Sequence, residues 1–377
     1  MSTVRRKSNG EYMVLSFLAI IMVVDAHCGS PLRLFTHIFP YNSFFMPLFV
    51  FISGYFFSPD KLSDLGGYIK GKFKRLIIPY YIYMFIYCGI LFILKHTTPF
   101  CYGSRITLYN FFVSPWTDGE RFTITNPSWF VPTLFLITVL YAVLRKILGK
   151  VWNDPAAFIV FLVIGIFAVY VSLRGIPDAY REYILQPLRV AFLMPFYQGA
   201  FCYRKYIEKK AREKVPSILV LSVTVLINFI LIHRIGNIKF AVNYMTSESL
   251  AGNTSFPALL IPYVVALTGI FFWIRISRIL TPALENNPFV NFVSDKTFDI
   301  MMHHVFFMTV TNWVLLLING FFPLQGLETE RIYIDCWYRY TGSSGIFNLI
   351  YFVTGFFLSV LLSYLTSRLI LRIRNRH

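Results

Sequence analysis

The chain has 377 residues, of which 56% are hydrophobic and only 14% charged, against roughly 45–50% and about 25% in soluble domains. That balance excludes an ordinary soluble enzyme, and no polar block is long enough to make a second unit, so residues 1–377 read as one integral-membrane domain. The net charge of +17 is scattered over short loops and not gathered on one face, which excludes a nucleic-acid footprint.

In chain order, ten runs offer the roughly 20 mostly apolar residues that a spanning helix needs, centred near Ile20, Phe49, Phe85, Leu136, Ile164, Pro195, Val225, Val265, Thr309 and Leu358. The expected fold is therefore an all-α polytopic membrane protein with about ten transmembrane helices and both termini on one side. With that side cytoplasmic, 24 of the 35 Lys and Arg fall on inner segments, from Arg5, Arg6 and Lys7 at one end to Arg368, Arg372, Arg374 and Arg376 at the other, as the positive-inside rule requires. The charge is then a record of topology, and the expected location is the cell membrane, crossed many times and in contact with its lipids. The basic start followed by an apolar stretch also describes a secretory signal, but "VVDAHCG" has no small-x-small cleavage site, so the first run is expected to stay.

That first run, begun near Gly10, ends near Gly29 and leaves Asp25 and His27 in the outer part of the bilayer. An ionisable side chain at such depth costs about 2.5–3.5 kcal/mol and is by default a functional hypothesis, whereas a shorter span would make both residues merely interfacial. Asp25 lies about 200° round the helix from His27, so it does not share that face. Its expected role is pairing with another helix or contacting substrate. The second run, "FFMPLFVFISGYFF", carries Ser53 and Gly54, small residues that suit close helix packing, with Ser53 also a candidate substrate contact.

Next come Lys72 and Arg75, three apart on one helical face at the inner side. They suit a phosphate-bearing ligand, and equally the ordinary positive-inside charge. The long outer segments, 95–128 and 320–346, mix aromatics with charges: Trp116, Asp118, Glu120 and Arg121 in the first, Glu328, Glu330, Asp335, Trp337, Tyr338 and Arg339 in the second. Aromatic faces beside carboxylates and Arg fit a polyhydroxylated sugar, and an interfacial aromatic belt has the same composition. Trp129 either walls a cavity or anchors the interface. The five cysteines form no CxxC pair and no metal-ligand spacing, so no metal is expected.

In the ninth run Asp299 precedes His303 by four residues, the spacing at which helical side chains meet, so Asp299 is expected to fix the imidazole's tautomer or to form with it a buried pair joining helices. His304 points about 100° away and reads as packing. At about 1.5 Å per residue, His303 lies roughly 10 Å from the inner face and His27 roughly 25 Å, so they do not meet on one reacting atom unless a helix tilts or a boundary is misplaced.

Taken together these pieces resemble the membrane-bound acyltransferase-3 family. "LAIIMVVDAH" followed by the second run is similar to that family's first helix ending in His and its Pro-Leu-Phe helix closing on Ser-Gly-Tyr. "KFKRLIIPYY", residues 72–81, looks like its basic Arg-x-x-Arg segment, with Lys72 and Arg75 in place. "SWFVPTLFL", residues 128–136, looks like its Trp-Phe-Leu-Pro helix start, and "TFDIMMHH", residues 297–304, like its Ser-Leu-x-Ile-Tyr-Leu-x-His segment, with the His read onto His303. One departure is Ser16, where the family carries Arg or Lys eleven residues before the first-helix His.

The resemblance implies a stand-alone O-acyltransferase. An acyl group, expected to be acetyl from acetyl-CoA, would pass from the cytoplasmic side to a hydroxyl of a surface glycan or lipid-linked sugar outside. Such a transfer needs a base that works near neutral pH, and His27 is the first candidate, with His303 and Asp299 as further catalytic candidates. Lys72, Arg75, Trp129, Asp25 and Ser53 are the candidates for binding substrates. A transporter or flippase for lipid-linked sugars and a polysaccharide polymerase are the competing readings.

Overall fold

The computed structural model describes residues 9–103, 106–119, 122–342 and 345–374; Arg5, Arg6, Lys7, Glu120, Arg121 and Arg376 lie outside them. Within the described residues the chain is all-α, with one isolated β-bridge, Ala241 to Thr246, and no strand. α1 (Gly10–His27) begins where the Asn9 side chain accepts the Glu11 N–H, satisfying one of the donors that open a helix. It ends at Cys28, before Gly29 turns the chain at φ 81°. α2 (Tyr41–Tyr55) returns after Pro40. α3 (Leu65–Lys72), a π-helical turn over Phe73–Ile77 and α4 (Ile78–Thr97) follow one another without a loop. The short α5 (Leu108–Phe112) and α6 (Ser114–Thr117) lie in the long connection after α4, and α7 (Phe130–Leu148) follows. α8 (Asp154–Arg174) is capped by Asn153, and α9 (Asp178–Cys202) runs through a second π-helical turn, Tyr203–Ile207, into α10 (Glu208–Lys214). α11 (Ser217–Ile235), α12 (Phe256–Leu284), α13 (Pro288–Asp295), α14 (Thr297–Phe321), α15 (Thr329–Ile334), α16 (Ile346–Val353) and α17 (Ser359–Arg374) complete the chain, with a third π-helical turn, Thr354–Leu358, before α17.

Among the described residues, eight helical stretches are long and apolar enough to cross a membrane: Gly10–His27, Pro59–Thr97, Ile124–Val151, Asp154–Arg174, Ser217–Ile235, Phe256–Leu284, Thr297–Phe321 and Ile346–Ile373. The two other predicted runs are α2 and α9. α2 has 15 residues, about 22 Å of helix against a hydrocarbon core of roughly 30 Å, and α9 is diluted by Asp178, Arg181, Glu182, Gln186 and Arg189. α2 and, from Leu185 on, α9 are largely enclosed by protein, α2 packing on α9 and α12, and α9 on α8 as well. A helix that meets protein and not lipid has no need of an apolar outer surface. Helices on the outside behave in the opposite way: Phe85 of α4, Phe167 of α8 and Phe229 of α11 all point outward and are exposed.

Two local features set the depth of the centre of the bundle. Gly54 of α2 lies against the backbone of Tyr197 in α9, so close that a Cβ there would collide with the Tyr197 carbonyl oxygen. The other is the break at Lys296 between α13 and α14. Val290 of α13 packs with Met13 and Val14 near the start of α1, so the rod carrying α14 enters at Pro288 and not at Thr297. This corrects the depth expected from sequence. Counted from Pro288 at about 1.5 Å per residue, His304 lies roughly 24 Å along, level with His27 counted from Gly10.

Candidate active site

Because the two rods run level, the last turn of α1 meets α14. His27 Nδ1 and His304 Nε2 are 2.8 Å apart, with the rings partly stacked at 4.9 Å between centroids. His304 is fully buried, and its Nδ1 lies 3.2 Å from the Ile300 carbonyl oxygen. A carbonyl can only accept, so His304 Nδ1 carries the proton and donates it, and Nε2 is the acceptor. His27 Nδ1–H therefore donates to His304, and the lone pair of His27 lies on Nε2. The residue expected to be packing is thus the histidine that orients His27.

His303 and Asp299 do not form the expected pair. His303 Nδ1 is 2.6 Å from the Tyr87 hydroxyl, and its buried Nε2 has no hydrogen-bond partner in the described structure. Asp299 accepts from the Tyr83 hydroxyl at 2.8 Å and pairs with Lys296 at 3.1 Å. The four-residue spacing did place both on one helical face, but α4 presents a separate tyrosine to each. A signal for His304 existed in the sequence: counting the family segment from Thr297 residue by residue puts its final His on His304 and not His303.

His27 lines a cavity of about 240 Å³ whose walls include Asn42, Asn126, Trp129, Asn243 and Trp337. The Trp337 ring centroid is 5.3 Å from that of His27. Trp129, buried at the start of α7, is held from behind by the Arg189 guanidinium, 4.4 Å from its ring centroid, a cation–π stacking distance. Arg189 is itself buried and donates to the Asn243 carbonyl, to the Asp118 carbonyl at 2.8 Å and to Gln186 Oε1 at 3.3 Å. One side chain of α9 thereby ties together two separate connecting segments beside the cavity, those of Asp118 and Asn243. Arg189 escaped the sequence reading, although a cation inside a candidate span is a functional signal by default.

A second cavity, of about 410 Å³, lies nearer the start of α1, with Ile20 on its wall, and shares Val23, Met46 and Met301 with the first. Its walls carry Arg75, Lys296, Asp295 and Asp299. Lys72 is not Arg75's companion there: the π-helical turn begins at Phe73 and alters the register between them, and the Lys72 ammonium lies 5.6 Å from the Tyr68 ring.

Asp25 is fully buried with both carboxylate oxygens engaged, one accepting the Leu32 N–H at 2.9 Å and the other the Tyr41 hydroxyl at 3.0 Å. It folds the α1–α2 connection, pairing with the next helix as one of the two expectations had it, and is not among the residues lining either cavity. Ser53 sits at the α2–α9 contact beside the Tyr197 hydroxyl and lines neither cavity, so its setting is that of a packing residue. Ser16 returns its hydroxyl to the Tyr12 carbonyl at 2.8 Å. A further cluster, unforeseen from sequence, fixes the first turn of α1: buried Glu11 pairs with Arg212 at 2.6 Å and Arg278 at 3.1 Å.

An acyltransferase-domain family model matches residues 14–368. No match was found among curated proteins or among solved structures. A match across nearly the whole chain, with the first-helix histidine on the wall of a cavity and oriented by a second histidine, gives the identification: the protein belongs to the acyltransferase-3 family of membrane acyltransferases.

Proposed function

We propose that the protein is an O-acyltransferase that takes an acetyl group from acetyl-CoA on the cytoplasmic side and delivers it to a hydroxyl of a surface glycan or lipid-linked sugar at the outer face of the cell membrane. The observation that carries this reading is the placement of His27, oriented by His304, on a cavity backed by a second one that carries Arg75 and Lys296 and shares Val23, Met46 and Met301 with the first. With α2 and α9 counted beside the eight apolar spans the chain crosses ten times in this reading, and the distribution of basic residues supports cytoplasmic termini, an outer His27 cavity and an inner Arg75 cavity.

In this reading Arg75 and Lys296 attract the phosphates of the donor. They also stand where the cation that the family carries at position 16 is missing: Ser16 is one helical turn before Ile20, which lines the same cavity. The acyl end reaches His27 past Val23, Met46 and Met301, and methionine side chains, with three rotatable bonds, can yield without loss of packing. His27 Nε2 takes the proton from the acceptor hydroxyl while its oxygen adds to the thioester carbonyl. The Asn42 and Asn243 amides on the wall are neutral donors for the developing oxyanion. The C–S bond then breaks, the ester forms, and the proton passes from His27 to the departing sulfur. Polyhydroxylated acceptors are supported by Trp129 and Trp337, two indoles on the wall of the cavity.

Purified protein in lipid nanodiscs is expected to consume acetyl-CoA and release free coenzyme A. A flippase or a polymerase would leave the thioester intact, and that result would refute the acyltransferase reading.

A further inference from the structure

Beside the His27 cavity lies a third one, of about 340 Å³, within the roughly 300–1,000 Å³ usual for small-ligand sites. Trp337 lines both. Its wall is polar and is formed by the segments around Glu328, Arg331, Tyr338, Arg339 and Asn348.

The two arginines differ in their company. Arg331 is exposed, pairs with Glu328 and Asp335 at 3.4 Å each, and lies 5.0 Å from the Tyr338 ring. Arg339 is half-buried and has neither an ion pair nor a side-chain hydrogen bond among the described residues. Burial pushes its guanidinium pKa below the usual value. A guanidinium presents five donors in a planar fork and remains charged in proteins; Asp335 attracts this one without forming an ion pair with it, so the fork faces the cavity with no direct partner among the described residues. Asn348 Oδ1, on the same wall, is a second unmatched group.

The wall is also pre-formed. Asn312 of α14 donates to the Tyr338 carbonyl at 2.9 Å, and the Tyr351 hydroxyl of α16 accepts the Tyr340 N–H at 3.0 Å and donates to Asn312. Residues 338 and 340 are thus pinned on either side of Arg339.

We propose that this cavity is a second sugar subsite in which Arg339 holds the carboxylate of an acidic residue of the acceptor glycan, while the neighbouring ring, across Trp337, presents its hydroxyl to His27. The proposal rests on the acyltransferase reading and narrows its acceptor to an acidic glycan. A carboxylate matches the guanidinium fork in two parallel hydrogen bonds, and a sugar ring carrying it would pack along the indole that the two cavities share.

The test is isothermal titration of the full-length protein in nanodiscs with a β-linked disaccharide ending in glucuronic acid, with its all-glucose counterpart, and with inorganic phosphate. The acidic disaccharide should bind at least tenfold more tightly than either other ligand. Arg339→Gln should abolish that preference and Arg339→Lys should keep part of it, which separates loss of the charge from loss of the fold. Equal affinity for the two disaccharides, phosphate binding as tight as the uronate, or a preference that survives Arg339→Gln overturns the subsite. Acetyl-CoA turnover of the parent protein, measured separately, tells the two readings apart: intact thioester with a uronate preference dependent on Arg339 would refute the acyltransferase and not the acidic-sugar site.

Discussion

His27 and His304 are 277 residues apart in sequence, and the bond between them decides which nitrogen of His27 can act as a base. If His304 is a positioning residue, replacing it with Phe keeps the ring and removes the acceptor. Turnover should then fall by on the order of tenfold to a hundredfold, the scale of losing orientation at a reacting group, with KM for acetyl-CoA little changed. Gln at 304 retains an acceptor oxygen and should restore part of the rate. Steady-state kinetics of the two variants checks this, and equal rates for His304→Phe and the parent would return His304 to a packing role. At this scale the sequence was legible for His27 and for Trp129 as far as both line one cavity. It was misleading for His303 and Asp299, because helical spacing says which side chains share a face and nothing about the tyrosines that another helix brings to that face. Arg189 went unread because its partners are backbone carbonyls of loops, which leave no mark in a pattern of residue types.

At the scale of elements, the apolar runs were readable wherever a helix meets lipid and weaker where it meets only protein, as in α2 and α9. The break at Lys296 was not legible, since α13 and α14 are both mostly apolar and only their packing on α1 shows where the rod enters. Close approach of α2 and α9 gives a sharper expectation. Because a Cβ at Gly54 would strike the Tyr197 backbone, Gly54→Leu should destabilise the protein by at least about 1–3 kcal/mol, the usual cost of overpacking. Gly71 has nothing within 4 Å of where its Cβ would stand, so Gly71→Ala should be neutral or stabilise by about 0.4–1 kcal/mol. Thermal melting in detergent distinguishes them; equal melting temperatures would mean that the two helices do not pack this closely.

For the whole molecule, the distribution of basic residues supports an orientation that can be tested on native cysteines. All five are free, and Cys101 is exposed on what the ten-crossing topology makes an outer segment. An impermeant maleimide should label Cys101 in intact cells, whereas a cysteine placed at Lys209, in the parent with Cys101 replaced by Ser, should react only after permeabilisation. Labelling of the Lys209 position in intact cells would invert the topology and put the His27 cavity on the wrong side for an outer acceptor.

The central claim is that His27 is the base for acyl transfer, and the most direct measurement is the rate of ester formation on the acceptor glycan by His27→Gln protein, shown to be folded and present in the membrane at the parent's level. Gln has a similar reach and cannot take up the proton, so the rate should fall by about 10²–10⁴-fold, the contribution of a positioned general base. A rate within about tenfold of the parent, below the smallest effect expected of losing such a base, would make His27 a structural residue and contradict the account.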